Sequence, residues 1–246
     1  MSGSNIHNTK GINGISPVDV CGVNVYPFNS VDELIDAANS LKRILVAINA
    51  EKIVNSTPTT RGIINSNIGY CDGVGAVKAL KQKGCGDVPK IPGCELWLNI
   101  IDRFHASHSF YLLGSKQAVI DATVEKLRGQ YPDLNIVGYR NGYLKSDADR
   151  RAVIDEVVHL KPDVVFVAMG SPRQELLMSD MQARHQAIYQ GLGGSFDVYS
   201  GNVERAPQWW LDHNLEFLHR FVSNPKRFKR LIPIWKFALR LLFHRI

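Results

Sequence analysis

Asp163-Val-Val-Phe-Val-Ala-Met-Gly-Ser-Pro-Arg-Gln-Glu175 decides the fold. A valine-rich run from Val164 to Met169 shows no polar alternation, stops at Gly170 and turns into Ser171-Pro-Arg-Gln-Glu175. A run of that kind predicts a strand buried on both faces, as in a parallel sheet covered by helices. Ligands of such sheets bind beyond the carboxyl ends of the strands. The polar loop after Gly170 therefore stands where chemistry is expected.

The same grammar repeats on either side. Ser30-Val-Asp-Glu33 is a capping box that opens a helix to about Ser40. Arg43 to Asn49 reads as a buried strand, and so does Ile68 to Cys71, which ends in Asp72-Gly-Val-Gly75. Helices are expected over 77–83, 95–106, 116–130, 147–160 and 172–184, and strands over 109–113, 134–137 and 187–190. Gly138 to Gly142 reads as a turn and Gly191 to Asp197 as a loop. Alternating strands and helices predict an α/β, Rossmann-like fold with a mainly parallel, doubly wound sheet. Residues 1–17 read as a polar, disordered leader, 18–203 as the sheet domain and 204–246 as a helical, basic, membrane-associating appendage.

With 246 residues and 45% hydrophobic side chains, the chain can bury a core without disulfides. Its four cysteines form no CxxC pair or zinc-finger spacing, so free thiols in a reducing, cytoplasmic setting are expected. No apolar stretch reaches the length of a membrane span. The net charge of +6 is uneven. Residues 217–246 carry 8 Lys and Arg and no acidic residue, whereas the preceding 216 residues are mildly acidic. Such asymmetry points to an anionic partner for the tail alone. Lys236, Arg240 and His244 form a narrow basic stripe opposite Trp235, Phe237, Leu239, Leu241, Leu242 and Phe243. That composition fits an interfacial membrane helix or a helix docked on the sheet domain. Nucleic acid is disfavoured, because the core is acidic and carries no binding motif for it.

Polar residues gather at several strand ends: Asn49, Glu51 and Lys52; Asp72; Arg173, Gln174 and Glu175; Ser195 and Asp197. A parallel sheet brings such loops to one edge. Asn49 and Asp72 stand where helix N-caps belong, and Asp72 also has the chemistry of a general base. Gly73 and Gly75 after it permit close approach of a ligand. Gly191-Leu-Gly-Gly194 lacks the full dinucleotide spacing and suits a backbone nest for phosphate or sugar hydroxyls. Asp147-Ala-Asp149 is a formal DxD, but Ser146 and Asp147 are in capping position. His105 and His108 read as helix-end histidines without a third metal ligand nearby.

Taken in order, Ala47-Ile-Asn-Ala-Glu-Lys52, Asp72-Gly-Val-Gly75, Ala168-Met-Gly-Ser-Pro-Arg-Gln-Glu175, Gly193-Gly-Ser-Phe-Asp197 and Arg205-Ala-Pro207 resemble the WecG/TagA/CpsF family of bacterial glycosyltransferases. Leu215 to Arg220 and Pro225 to Arg230 complete the likeness, which runs from about Val20 to the end. The resemblance implies an inverting, metal-independent transfer without a cofactor. An N-acetylmannosamine-type sugar, or its uronic acid, would pass from UDP to polyprenyl-diphosphate-linked N-acetylglucosamine. It implies Asp72 as catalytic base, Asn49 and Gln174 lining the donor pocket, and Gly193 and Gly194 giving close backbone approach. Lys90 stands where an arginine is usual beside the diphosphate; it keeps the charge and loses the bidentate fork. Arg220, Arg227 and Arg230 match tail arginines that close over the site. The partners implied are the UDP-sugar, the lipid-linked acceptor, the anionic inner leaflet and a homo-oligomer. The alternative is a nucleotide-sugar or dinucleotide-binding regulatory protein without transferase activity.

Overall fold

The structure is a computed structural model, and it describes residues 11–12, 14–204, 207, 209–210, 231–244 and 246. Most of the parallel strands are apolar runs that stop at a glycine or polar residue and hand over to a helix. The first half holds β3 (Ile44–Ile48), α2 (Ala50–Asn55), α3 (Pro58–Asn65), β4 (Ile68–Cys71), α4 (Val74–Gln82) and α5 (Gly93–Phe104). The second holds β5 (Ser109–Gly114), α6 (Gln117–Gln130), β6 (Asn135–Arg140), α7 (Asp147–Leu160), β7 (Val164–Ala168), α8 (Arg173–Gln182), β8 (Ile188–Gly191) and α9 (Ser195–Tyr199). These strands form one six-stranded sheet, all parallel, in the order β4-β3-β8-β7-β5-β6. The α/β, Rossmann-like fold expected from the sequence is the fold observed.

Alternation within β7 shows why its sequence has no polar face. Val164, Phe166 and Ala168 enter one core layer, and Val165 and Val167 the other. Helices α5, α6 and α9 cover the first face, together with α1 (Val31–Leu41). Helices α2, α3, α4, α7 and α8 cover the second, together with a last helix, α10 (Leu231–Leu242). Trp97 of α5 anchors the first layer, meeting Phe166 and Phe196 edge-on at 5.7 and 5.6 Å. Such aromatic pairs add about 0.5–1.5 kcal/mol beyond the area they bury.

Three local features differ from the sequence reading. A hairpin of β1 (Val18–Val20) and β2 (Val23–Val25) precedes the sheet and covers its β4 edge, with Tyr26 N–H donating to the Gly69 carbonyl at 2.8 Å. Strand β6 runs on through Gly138 to Arg140, where a turn was expected, because Gly138 makes room for a neighbour. A methyl group there would lie 2.7 Å from the Tyr111 ring. The glycine marks close side-chain approach, not chain reversal. Third, Ser195–Tyr199 is helical where a loop was expected, with its Phe196 drawn into the core. Within the stretch read as leader, Ile12 is buried and bridged to Ile15.

Two of the expected caps are formed at the starts of α1 and α7. Ser30 accepts from Glu33 N–H, and Ser146 and Asp149 form a reciprocal capping box. The DxD aspartates thus belong to the start of α7. His105 bonds the Asp102 carbonyl, and His108 lies between Ser107 and Asn39, both as helix-end residues.

Candidate functional site

Strands β3 and β8 are neighbours whose chains leave to opposite faces of the sheet, into α2 on one and α9 on the other. That divergence opens a crevice outside their carboxyl ends, the usual ligand position of an open α/β sheet. Asn49 leaves β3 there, Asp72 leaves β4 beside it, and Gly193 and Gly194 follow β8. The Gly170–Glu175 loop follows β7 on the far side of β8.

Asn49 is the N-cap of α2, its Oδ1 accepting Lys52 N–H at 3.0 Å. Asp72 is not a cap of its own helix. Gly73 holds that position without a side-chain bond. The Asp72 carboxylate turns instead to the next helix, its Oδ1 accepting the Gly93 N–H at 2.7 Å. That amide is one of the unpaired donors at the start of α5, which Pro92 cannot cap. Asp72 remains partly exposed. The loop between α4 and α5 is tied to this point by Ile91 N–H, which donates to the Cys71 carbonyl at 2.7 Å. Lys90, half-buried, is therefore held one residue from that tie and three from Gly93.

The β7–β8 side is built on side chains that hold one another. Gln174 is 4% exposed, and its Oε1 accepts from Gly170 N–H at 3.1 Å and from Gly193 N–H at 3.0 Å. Its Nε2 donates to Glu175 Oε1 at 3.3 Å. Both glycines have positive φ, 77° and 60°, which lets their amides turn inward. A side chain at Gly191 would strike the Gln174 amide, so glycine is required there too. Glu175 Oε1 also takes the Lys52 ammonium at 2.5 Å, with the two side chains only 3% and 14% exposed. Burial would raise the Glu175 pKa, yet the Lys52 charge and the hydrogen bonds outweigh it and hold the carboxyl below its ordinary value. Its other oxygen, Oε2, is buried close to Ser171 without a formed hydrogen bond among the described residues.

The remaining polar residues are occupied. Ser195 Oγ donates to the Leu192 carbonyl at 2.8 Å. Asp197 accepts from Ser115 Oγ at 2.9 Å and from Asn202 Nδ2 at 3.0 Å, tying the β8 loop to the β5 loop. Arg173 is exposed, and its guanidinium donates to the Met169 carbonyl. Gly194 immediately precedes α9.

Asn49, Asp72, Lys90, Gln174, Gly193 and Gly194 thus share one edge of the sheet. Arg220, Arg227 and Arg230 lie outside the described residues. The sequence reading missed the pairing of Lys52 with Glu175, and it passed over Tyr70, Gly93 and Gln190. A glutamine in an otherwise apolar strand was the available signal for the last. Helix α10 lies against α2 and α4. Its Phe237 is buried against Gly75, whose missing Cβ would be 3.2 Å from the ring, and Gln82 Nε2 donates to the Leu241 carbonyl at 2.8 Å. Ile232, Trp235, Leu239, Leu242 and Phe243 stay exposed on its outer side with Lys236 and Arg240. No helix among the described residues is long and apolar enough to cross a membrane.

Residues 17–246 match the model of the glycosyl transferase WecG/TagA/CpsF family. The family implies a nucleotide-sugar donor, a lipid-linked acceptor and a place in cell-surface polysaccharide biosynthesis. The match takes in the whole sheet, the loops at its edge and the tail, and the chain therefore belongs to this family of glycosyltransferases.

Proposed function

We propose that the protein is an inverting transferase that moves N-acetylmannosamine, or its uronic acid, from UDP to a polyprenyl-diphosphate-linked N-acetylglucosamine, with Asp72 as general base. The observation that carries this reading is the Asp72 carboxylate at the crevice edge, fixed through Oδ1 by the Gly93 amide. Asp72 takes the proton of the acceptor hydroxyl as that oxygen bonds to the anomeric carbon. The bond from that carbon to the UDP oxygen breaks, and UDP leaves with the electron pair. A single displacement inverts the anomeric centre, and one base is enough for it. Lys90 and the tail arginines supply positive charge to the diphosphates, so the reading requires no metal or other cofactor. Gly193 and Gly194 allow close backbone approach to the donor. Gln174 lines the donor pocket while its amide oxygen braces Gly170 and Gly193.

The domain reading follows the same logic: residues 18–203 carry the sheet and 204–246 the appendage. The outward apolar residues of α10, with Lys236 and Arg240 among them, rest on the anionic inner leaflet where the acceptor resides. Two experiments test the proposal. Asp72→Asn should stop UDP release in an assay with UDP-N-acetylmannosamine and a lipid-linked acceptor, while calorimetry still shows donor binding. Normal turnover by that variant sinks the base assignment. Removal of residues 217–246 should abolish binding to anionic vesicles, and unchanged vesicle binding refutes the membrane assignment.

A further inference from the structure

Beneath Asp72 lies a buried polar arrangement that nothing above employs. Tyr70 lies in β4 two residues before Asp72, which directly follows the strand, and both side chains meet Gly93 at the start of α5. Tyr70 is fully buried, and burial first, then the negative charge of Asp72, pushes its phenol well above the ordinary value. Two strands away, Gln190 of β8 is also fully buried. Its Nε2 donates to the Gly93 carbonyl at 3.1 Å and approaches the Tyr70 hydroxyl at 3.4 Å. Between them β3 contributes Ala47, paired in register with Tyr70, and the small side chain leaves room for Gly93 above it. A methyl group on Gly93 would sit 2.8 Å from the Tyr70 hydroxyl and 3.5 Å from Ala47 Cβ.

Gly93 is thus held on three sides: its carbonyl by Gln190, its Cα by Tyr70, and its N–H by Asp72 Oδ1. The arrangement is costly for a strand interior. Among the described residues Gln190 Oε1 is buried without a hydrogen-bond partner, whereas an apolar residue would leave no such orphan. An unsatisfied buried amide calls for an explanation, and its nitrogen points to one. We infer that Gln190 and Tyr70 are positioning residues that act through Gly93 to fix the Asp72 carboxylate for proton transfer. The inference rests on the assignment of Asp72 as base.

The test uses the full-length protein with Gln190→Met, which keeps volume and removes the donor, and Tyr70→Phe, which removes one hydroxyl. A base displaced by a fraction of an ångström loses rate without losing substrate. With UDP-N-acetylmannosamine and a lipid-linked acceptor, kcat should fall about tenfold or more in Gln190→Met and less in Tyr70→Phe. Donor affinity by calorimetry and the acceptor KM should stay within about twofold of wild type. If kcat holds in both variants, or falls only in step with donor affinity, the two residues are merely structural and the inference is overturned. Should Gln190→Met fail to fold, the same criteria apply to Tyr70→Phe alone. Wild-type turnover by Asp72→Asn would remove the base reading itself, a result distinguishable from any outcome at Gln190.

Discussion

Two carboxylates stand at the same sheet edge, and their surroundings give them opposite uses. Asp72 is partly exposed and held by one backbone amide. Glu175 is almost fully buried and neutralised by Lys52, and its Oε1 accepts from both the Lys52 ammonium and the Gln174 amide. The first is partly open to solvent, where the proposed acceptor would meet it. The second commits its charge to joining α2, α8 and the β8 loop. Burial and pairing, not residue type, decide which carboxylate can do chemistry. Lys52 has its charge already matched by Glu175, so it is not available to a carboxylate on the donor sugar. Arg173, exposed at the start of α8 and bonded among the described residues to the Met169 carbonyl, has no such counter-charge there.

The sharpest way to break the comparison is to remove one charge from each side. Asp72→Asn can still accept the Gly93 N–H, so its melting temperature should stay near wild type. Its turnover should fall on the order of 10²–10⁴-fold, the usual contribution of a positioned base. Glu175→Gln should do the reverse in kind. It leaves the Lys52 ammonium buried without its counter-charge, which costs about 3–5 kcal/mol in urea unfolding. Comparable activity losses without any stability loss in Glu175→Gln would place both carboxylates in the chemistry.

The pair also fixes a pH dependence. Because the folded protein holds the Glu175 carboxyl below its ordinary value of 4.5, the unfolded chain takes up that proton first as pH falls. The stabilisation is complete above 4.5 and is lost as pH drops through the lower, folded value. The stability gap between wild type and Glu175→Gln, from urea curves at successive pH values, should therefore narrow below pH 4.5. A gap that stays constant into acid would mean that the ion pair contributes nothing.

Much of the Asp72 side was legible along the chain, because its features are local. The strand ending at Cys71, the glycines at 73 and 75 and the cap at Asn49 are matters of a few consecutive residues. The Lys52–Glu175 bond joins residues 123 apart and exists only because β3 and β7 flank β8. Strand order is not chain order, and no periodicity reveals it. Gln190 was obscure for the same reason. Its meaning depends on Tyr70, two strands away and paired in register with Ala47, and on α5 starting above them. The turn misread at Gly138 shows the converse, a glycine whose local signal was overruled by the ring of Tyr111.

The Asp72 side is also the side on which α10 packs, against α2 and α4. Phe237 fills the space that Gly75 leaves open, directly after the Asp72 loop. Gly75→Leu should force that ring out at a cost of about 1–3 kcal/mol, the range for overpacking a close contact. Hydrogen exchange should then rise in α10 and not in β7 or β8. Equal exchange in α10 of variant and wild type would show that Phe237 does not hold the helix in place.

The smallest effect separates capping from substrate contact at Asn49. Its Oδ1 accepts the Lys52 N–H and so supports the start of α2, which also carries Lys52 toward Glu175. Asn49→Ala should cost about 1 kcal/mol from the lost cap alone. A serine is as good an N-cap, so Asn49→Ser retains that support and removes only the amide nitrogen. If Asn49 touches the donor, Asn49→Ser keeps wild-type stability and raises the donor KM severalfold. If it is only a cap, Asn49→Ser matches wild type in both measurements, and Asn49→Ala loses stability with an unchanged donor KM. The Asp72 side would then hold a single functional side chain on each of its loops, Asp72 itself and Lys90, with Asn49 joining Glu175 among the residues that serve the scaffold.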